Sequence, residues 1–581
     1  MIANRVYLLA IMAAIVFATP LPAQTDAINQ RAEVLIKARK TSGGISTPRV
    51  VNLILNEQEP SLVCLAVGIL TETDRAASEY VQVLFAASNR PDCFHQIVAQ
   101  VVLANQGAAA AEIILQDSRK KENALLAANI LAVHSQIEMM SGTGKPRKKN
   151  QGKKKKSGPT GSVGELIKKL FQSKDRKVLE LAFLAAAYSG SNVDSEIDGL
   201  ELRRAPAAEA ARLLYLAKRG KPLSETVVQE LAKARYKSDK RFETVTPTLS
   251  TYDPTSHPLS YLAQALAAAG NTSHMEFLHA GLENKDIRVQ SDCATAIEAL
   301  GVPASVEALQ KVLPTCAWPT KIRVCSALGA IPDKSSVPVL LNQLDTETGR
   351  FRLDCAYALA SIMGEDKSED AAGWRRAWQE MESDFTVDAA RTSAFRKDYR
   401  ITDVYVRSLG SFYRHGIYSD SFVYVVDTSA SMKGEKIKDL EFNLADSASS
   451  LRDPAKFNIL TFGGAIKIFS NRMQTAAQGD IISDMLYGLK LSLSTRTHDA
   501  IQMATLFGEA DTIYFLSDGA PVSGAFGKWH TIIPAYQYFH RYRPIAMFMV
   551  QFNAGEKNAQ MMKLFAERNY GESGGTREAE E

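Results

Sequence analysis

The fold of the carboxyl-terminal part of this chain is decided by the stretch Ser421-Phe422-Val423-Tyr424-Val425-Val426-Asp427-Thr428-Ser429-Ala430-Ser431. An apolar run of β-branched and aromatic residues that ends at small polar residues is typical of a buried parallel strand. Helical spacing resumes at residues 436–440. The stretch therefore predicts a strand-to-helix turn that carries one carboxylate and two hydroxyls, those of Asp427, Ser429 and Ser431.

A second apolar run, residues 513–516, ends at Ser517-Asp518-Gly519 and predicts another carboxylate at the end of another strand. Between the two runs, residues 494–501 form a polar loop that opens a helix. In an open α/β sheet, ligands bind at the carboxyl ends of the strands. The first turn offers hydroxyl and carboxylate oxygens without imidazole or thiolate, so the suitable cation is Mg²⁺, Mn²⁺ or Ca²⁺ rather than zinc or copper.

This three-part pattern resembles the von Willebrand factor A (VWA) domain and its metal-ion-dependent adhesion site (MIDAS), over roughly residues 417–575. The resemblance implies a doubly wound, Rossmann-like α/β fold and one divalent cation, Mg²⁺ or else Mn²⁺ or Ca²⁺. It also implies that an acidic group of a protein partner completes the ligands of the cation. The residues that the resemblance assigns to the cation are Asp427, Ser429, Ser431, Thr495 and Asp518.

Two positions depart from the family pattern. Ala430 stands where the family usually has glycine, and Ser494 replaces the glycine that commonly precedes the loop threonine. Thr495 is preferred to Thr497 as that threonine because a short Asp-Ala-aliphatic run, residues 499–501, follows four residues later. We further expect Asp427 to lie on a solvent-facing loop. The alternative is a domain that keeps these loops for turn geometry and binds no metal.

The remainder of this segment alternates between predicted strands and helices. Residues 456–462 and 465–469 flank Gly463-Gly464, which predicts two strands joined by a tight turn. Residues 545–550 predict a further strand, and the predicted helices are 436–451, 478–490 and 498–508. Such alternation predicts a doubly wound sheet.

Upstream, the sequence repeats itself with a period of 31 residues, which places Ala265, Ala296, Ala327 and Ala358 in register. Each unit has two helical bursts separated by turn residues, which predicts stacked helix pairs. The run at residues 351–359 is similar to the first helix of HEAT repeats. The resemblance implies an α-helical, HEAT-like solenoid, whose concave face could bind a protein partner. A spacer that only carries the VWA domain is the alternative.

The start of the chain predicts a signal peptide. A short positive region precedes an apolar core of 13 residues, Val6 to Ala18, and a plausible cleavage region ends before Gln24. We therefore expect an exported protein, whether periplasmic, in the cell envelope or extracellular. No other long apolar run appears, so no transmembrane segment is expected in the mature chain.

A Lys-rich insert interrupts the helical patterns. Eight of the twelve residues from 145 to 156 are cationic, so self-repulsion should leave the insert disordered and extended. Such a segment could bind a polyanion. No aromatic residue is interleaved to stack on bases, which argues against nucleic acid.

The predicted domain organisation combines these segments. It comprises a signal peptide (1–23), degenerate α-helical repeats (24–140), the Lys-rich insert (141–162), α-helical repeats (163–250), HEAT-like repeats (256–380), a linker (381–416), the VWA domain (417–575) and a tail (576–581). The formal charge of +4 is unremarkable once the insert is considered. The six cysteines form no obvious disulfide framework, and most are expected to be small buried residues.

Three functional classes remain. The favoured one is a non-enzymatic exported binding or scaffold protein whose VWA domain binds a divalent cation and, through it, an acidic protein partner. The second is a Mg²⁺-dependent hydrolase, since Asp427 at a strand end is similar to the nucleophile of haloacid-dehalogenase-like phosphatases. Those enzymes need a second Asp two residues on, where this chain has Ser429. The third is a structural protein with a metal-free VWA domain that binds polyanions through the insert.

Overall fold

The computed structural model describes residues 30–31, 34–35, 47–57, 60–72, 83–84, 107, 109–115, 121–141, 163–202, 204–234, 236, 242–243, 256–364, 371–401, 406–470, 472–484, 486–524 and 526–575. The predicted signal peptide, the predicted tail and nearly all of the Lys-rich insert lie outside these residues. Over the described ranges, no helix combines the length and the apolar character needed to cross a membrane.

The amino-terminal part of the described chain is helical. Its helices are α1 (Thr47–Asn56), α2 (Pro60–Glu72), α3 (Lys121–Met140), α4 (Val163–Leu170), α5 (Arg176–Ser189), α6 (Asp194–Ile197), α7 (Pro206–Lys218), α8 (Glu225–Lys233), α9 (Pro258–Ala269), α10 (Met275–Leu282), α11 (Ile287–Leu300), α12 (Val306–Val312), α13 (Trp318–Ala330), α14 (Ser336–Thr346), α15 (Phe351–Met363), α16 (Ala371–Met381) and α17 (Ala389–Asp398).

From α3 onward, alternate helices pack against one another in sequence order. Helix α3 packs against α5, α5 against α7, and α7 against α9, and the succession continues through α11, α13 and α15. The alanines of the 31-residue register are each at most 1% exposed, because they lie where successive helices approach most closely. Helices α9 to α15 therefore pack in succession over residues 258–363, and the described helices α3, α5 and α7 precede them in the same succession.

The carboxyl-terminal part alternates strands with helices. Its strands are β1 (Ser411–Phe412), β2 (His415–Gly416), β3 (Ser421–Asp427), β4 (Lys456–Phe462), β5 (Ile466–Ile468), β6 (Gln474–Thr475), β7 (Thr512–Ser517), β8 (Ala546–Gln551) and β9 (Ser573–Gly575). Its helices are α18 (Glu435–Ser449), α19 (Gly479–Asp484), α20 (Thr497–Ala504), α21 (Trp529–Phe539) and α22 (Glu556–Glu567).

The main sheet is mostly parallel, as the alternation predicts. Strands β4, β3, β7, β8 and β9 are parallel neighbours in that order, and β5 and β6 pair with β4 in the antiparallel sense. Every residue of β3 is buried, because helices cover both faces of the sheet. Val423 and Val425 pack on the side of α20 and α21, whereas Tyr424 and Val426 pack on the side of α18.

The helical part contacts the sheet at the amino ends of its strands. The Thr348 hydroxyl donates to Oδ2 of Asp420, immediately before β3, at 2.6 Å. The Arg350 guanidinium donates to the carbonyl of Pro544, just before β8. One cluster of buried apolar residues continues from the helices into one face of the sheet. The carboxyl ends of the strands, which carry the predicted site, lie at the opposite edge.

Two further predictions concern the linker and the cysteines. Residues 381–416, predicted as a linker, contain α17 and the β1–β2 hairpin, and α17 packs against α13 and α15. Four of the cysteines, Cys293, Cys316, Cys325 and Cys355, are free and buried, as expected for small core residues. The sulfurs of Cys325 and Cys355 lie 3.8 Å apart, joined by an S–H···S hydrogen bond and not by a disulfide.

Candidate cation-binding site

The sheet register brings the two predicted carboxylates to one edge. Strands β3 and β7 are parallel neighbours, with Val426 opposite Leu516. The next residue of β3 is Asp427, and Asp518 directly follows the end of β7. The carboxyl ends of parallel strands meet at the same edge of a sheet, so both carboxylates lie there.

Hydrogen bonds connect the oxygen atoms of this edge. Oδ1 of Asp427 accepts the amide of Ser429 at 2.7 Å, and its Oδ2 accepts the hydroxyl of Ser517 at 2.6 Å. The hydroxyls of Ser429 and Ser431 lie 2.9 Å apart, and Ser431 donates to Oδ1 of Asp518 at 2.8 Å. Four of the five predicted ligands therefore lie together in a continuous hydrogen-bonded set.

Asp427 is not on a solvent-facing loop, and that expectation was wrong. Its side chain is the last of β3 and is 0% exposed, because the neighbouring strands and the turn that follows enclose it. Burial raises the pKa of Asp427 to about 6, and the hydrogen bonds from Ser517 and Ser429 oppose this rise. Ser431, in contrast, is exposed. The site therefore has a buried carboxylate at its base and an accessible hydroxyl at its rim.

The loop that carries Thr495 is held beside the first turn by its backbone. The amide of Ser492 donates to the carbonyl of Thr428 at 2.9 Å, and the Ser492 hydroxyl accepts the amide of Gly464 at 2.8 Å. Gly463 permits this approach, because a Cβ there would lie 2.2 Å from the Ser492 hydroxyl oxygen. The sequence pattern did not single out this glycine for that role.

The Thr495 side chain is the one predicted ligand without a hydrogen bond to the others in the described part of the chain. Its backbone carbonyl accepts the amides of Val522 and Ser523 at 3.2 and 3.3 Å. The residue is 8% exposed. Next to it, Arg496 and Asp499 are fully buried with Nη2 and Oδ2 2.8 Å apart, which anchors the start of α20.

The two departures from the family pattern differ in their conformational consequences. Ala430 begins a 3₁₀ turn, Ala430–Met432, a conformation that any L-residue can adopt. Ser494 has a φ of 87°, a value that favours glycine over residues with a side chain. Its hydroxyl is hydrogen-bonded to that of Ser523. The missing glycine at position 494 therefore places strain in the loop that carries Thr495.

Sequence reasoning missed two residues of the site. Ser517 stands next to Asp518 in the sequence and fixes Asp427, as described above. Lys436, in the first turn of α18, places its Nζ 2.6 Å from Oδ2 of Asp518. The Asp518 side chain is only 4% exposed, whereas that of Lys436 is 30% exposed. The helical spacing of residues 436–440 predicted that this lysine is on a helix, but it could not predict the contact with Asp518, which is 82 positions away.

The donor set fits a hard divalent cation by its chemistry. Asp427 and Asp518 supply two carboxylates, and Ser429 and Ser431 supply two hydroxyls, all of them oxygen ligands of the kind that Mg²⁺ and Mn²⁺ accept. Within the described ranges, no group of three or more His, Cys, Asp or Glu side chains could hold a metal ion. Any cation site here therefore depends on the hydroxyls as well as on the carboxylates.

A hydrolase pattern elsewhere in the domain lacks the required geometry. Residues 571–575 read Gly-Glu-Ser-Gly-Gly and match the Gly-x-Ser-x-Gly pattern, in which the serine occupies a sharp strand-to-helix turn. Here Ser573 lies on strand β9, and its hydroxyl accepts the Gln551 side-chain amide at 2.7 Å. This serine is therefore part of a sheet edge rather than of a nucleophile turn.

No protein-family model matches the chain, and no curated protein matches it in sequence. Among solved structures, a von Willebrand factor type A protein from Catenulispora acidiphila is 15% identical with a TM-score of 0.24, over 27% of this chain and 39% of that one. An engineered protein is 16% identical with a TM-score of 0.26, over 60% of this chain and 96% of that one.

A third solved structure, the RO (RSR) protein of Deinococcus radiodurans, is 14% identical with a TM-score of 0.17, over 91% of this chain and 95% of that one. This chain thus spans well under half of the Catenulispora protein. None of these likenesses is close enough to assign a fold or an activity.

Proposed function

We propose that this chain is a non-enzymatic binding protein whose α/β domain binds a divalent cation and, through it, an acidic group of a protein partner. The observation that carries the proposal is the hydrogen-bonded set of Asp427, Ser429, Ser431 and Asp518 at the carboxyl edge of the sheet. Mg²⁺ is the first candidate for the cation, with Mn²⁺ and Ca²⁺ as alternatives.

Each residue would have a distinct part in holding the cation. Asp427 would supply the buried negative charge, and Ser429 and Ser431 would supply neutral oxygens. Asp518 would complete the set from the neighbouring strand, and the VWA resemblance assigns Thr495 to the same shell. When bound, a divalent cation would supply positive charge and an open coordination position for an external carboxylate.

The surroundings of the site favour a macromolecular partner. The contacts of Thr348 and Arg350 with the α/β domain lie at the amino edge of the sheet, opposite the site. Two apolar side chains on the loops beside the site are exposed, Leu493 at 49% and Val522 at 62%. A partner that brings an acidic residue with apolar neighbours would find complementary contacts here.

The helical part would act as the scaffold. In this proposal it is a HEAT-like solenoid, and its packing against the sheet fixes the orientation of the α/β domain. The proposal retains the export that the amino-terminal pattern predicts. It places any binding to polyanions by the insert in a secondary role, which a deletion of residues 145–156 can test.

Calorimetric titration of Mn²⁺ or Mg²⁺ into the full chain tests cation binding. Ser431→Ala should weaken binding about tenfold or more, because it removes a ligand at an exposed position without disturbing the core. Ser449→Ala is the matched control, since Ser449 is an exposed serine at the far end of α18. Equal heats for the wild type and Ser431→Ala would contradict the proposal.

A pull-down with the full chain tests the partner. Capture of the same protein in Mg²⁺, its loss in EDTA and its loss with Ser431→Ala would support adhesion through the site. Capture that survives EDTA but is lost when residues 145–156 are deleted would instead favour polyanion-type binding by the insert.

A further inference from the structure

The Lys436–Asp518 contact places a fixed positive charge inside the proposed cation site. Nζ of Lys436 lies 2.6 Å from Oδ2 of Asp518, while Oδ1 of the same carboxylate accepts the Ser431 hydroxyl at 2.8 Å. Both oxygens of Asp518 are therefore engaged by groups of the protein itself. The Asp518 side chain is only 4% exposed, and Lys436 is its ion-pair partner.

Stabilisation of α18 does not explain the position of this lysine. Lys436 is the second residue of the helix, where the helix dipole favours acidic rather than basic side chains. Lys438, one half-turn further on, follows the ordinary pattern of a surface lysine and pairs with the exposed Glu435 at 3.1 Å. The contact of Lys436 is instead with the end of another strand.

We infer that Lys436 acts as an internal competitor of the divalent cation, neutralising Asp518 in its absence and lowering the affinity of the site for it. This inference rests on the proposed function. Like charges repel, so an ammonium group held against a ligand carboxylate opposes the approach of a second cation. The Lys436 side chain can move away from Asp518, because it is long, is 30% exposed and lies in the first helical turn, two residues after the N-cap Gly434.

The positive charge of Lys436 also affects which partners the cation-loaded site would prefer to bind. Asp427, Asp518 and Lys436 together leave one uncompensated negative charge. A divalent cation would change that sum to one positive charge, whereas without Lys436 the loaded site would be neutral. Lys436 therefore directs the loaded site towards anionic partners.

Calorimetric titration of Mn²⁺ alone into the full chain tests this inference. Lys436→Met, which removes the charge and keeps the length, should raise Mn²⁺ affinity about tenfold or more relative to the wild type. Lys436→Gln keeps an N–H donor for Asp518 and should give the same increase if charge is the cause. Lys436→Arg keeps the charge and should remain as weak as the wild type.

Lys438→Met is the matched control, because it removes the same charge from the same helix turn without touching the site. Its Mn²⁺ affinity should equal that of the wild type. If Lys436→Met and Lys436→Gln bind Mn²⁺ no more tightly than the wild type, Lys436 only positions Asp518 and the inference fails while the proposed function stands. If no variant and no wild-type protein binds Mn²⁺, the proposed function fails with it. A thermal melt of each variant checks whether it is folded.

Discussion

The hydroxyl of Tyr542 donates a 2.9 Å hydrogen bond to Oδ2 of Asp292, and the two residues lie 250 positions apart in the chain. Tyr542 belongs to the loop between α21 and β8, and Asp292 belongs to α11. Gln264 also donates to the same oxygen, at 3.0 Å. Burial raises the pKa of Asp292, and these hydrogen bonds oppose the rise. The contact joins the helical part to the amino edge of the sheet.

Tyr542→Phe should weaken the coupling of the two parts. It leaves a buried carboxylate with one donor fewer, which should lower the free energy of unfolding by about 1–3 kcal/mol. We expect earlier cleavage between the parts in limited proteolysis and a less cooperative urea transition. Tyr487→Phe, at a tyrosine that is 57% exposed, is the control and should match the wild type. Unchanged proteolysis of Tyr542→Phe would show that apolar packing alone couples them.

Asp427→Asn should separate stability from cation binding. Asp427 is a fully buried carboxylate, and an unpaired charge in that position is costly. The Asn side-chain carbonyl can still accept a hydrogen bond from the backbone amide of Ser429, and its NH₂ group can donate to the Ser517 hydroxyl. Without divalent cations the variant should therefore melt at the same temperature as the wild type or higher. Added Mn²⁺ should raise the melting temperature of the wild type but not of the variant. An equal Mn²⁺-induced rise in melting temperature in both proteins would show that Asp427 does not bind the cation.

Asp354 predicts a pH dependence of stability. Burial raises its pKa to about 6, with Asp511 adding to the rise and Arg350 and Arg323 opposing it. A raised carboxyl pKa means that the folded state binds the proton more tightly than the unfolded state does. The stability that Asp354 contributes is therefore fully present below about pH 4 and is lost as pH rises through about 6. Over that range the free energy of unfolding should fall by up to about 3 kcal/mol.

Asp354→Asn should remove this dependence. Compared with the wild type in urea melts, the variant should be more stable at neutral pH, and the difference should shrink towards pH 4. Asp398→Asn, at an exposed position in α17, is the control and should leave the profile unchanged. A difference between Asp354→Asn and the wild type that stays constant with pH would show that the carboxyl does not titrate in this range.

Ser494 should tolerate glycine better than alanine. At its φ of 87° a side chain is strained, so Ser494→Gly should be about 1 kcal/mol more stable than Ser494→Ala, although both lose the hydrogen bond to Ser523. At Ser450, where φ is −86°, the order should reverse. Chemical denaturation of the four variants measures both differences. Alanine proving better than glycine at both positions would show that the loop relaxes around residue 494.

Much of the fold and part of the site can be predicted from local sequence. Strand β3 and the residues at its end follow from an apolar run that stops at polar residues, because such a boundary marks where a chain leaves the core. The helix pairs of residues 256–363 follow from a repeat in which each unit buries the same positions. Asp427 ends β3 and Asp518 directly follows β7, and Ser429 and Ser431 lie on the turn after β3, so a local pattern of strand ends was enough to place all four near one edge.

Other features depend on residues that are distant in sequence and were decided only by the tertiary structure. The burial of Asp427 arises from neighbouring strands, and the contact of Lys436 with Asp518 requires that α18 begins at the edge where β7 ends. The packing of the helical part against the amino edge depends on distant pairs such as Asp292 and Tyr542, which are hydrogen-bonded. Periodicity reports which side of an element is buried, but it does not report which distant element covers that side. The partners of Asp518 and Asp292 therefore could not be found without the fold.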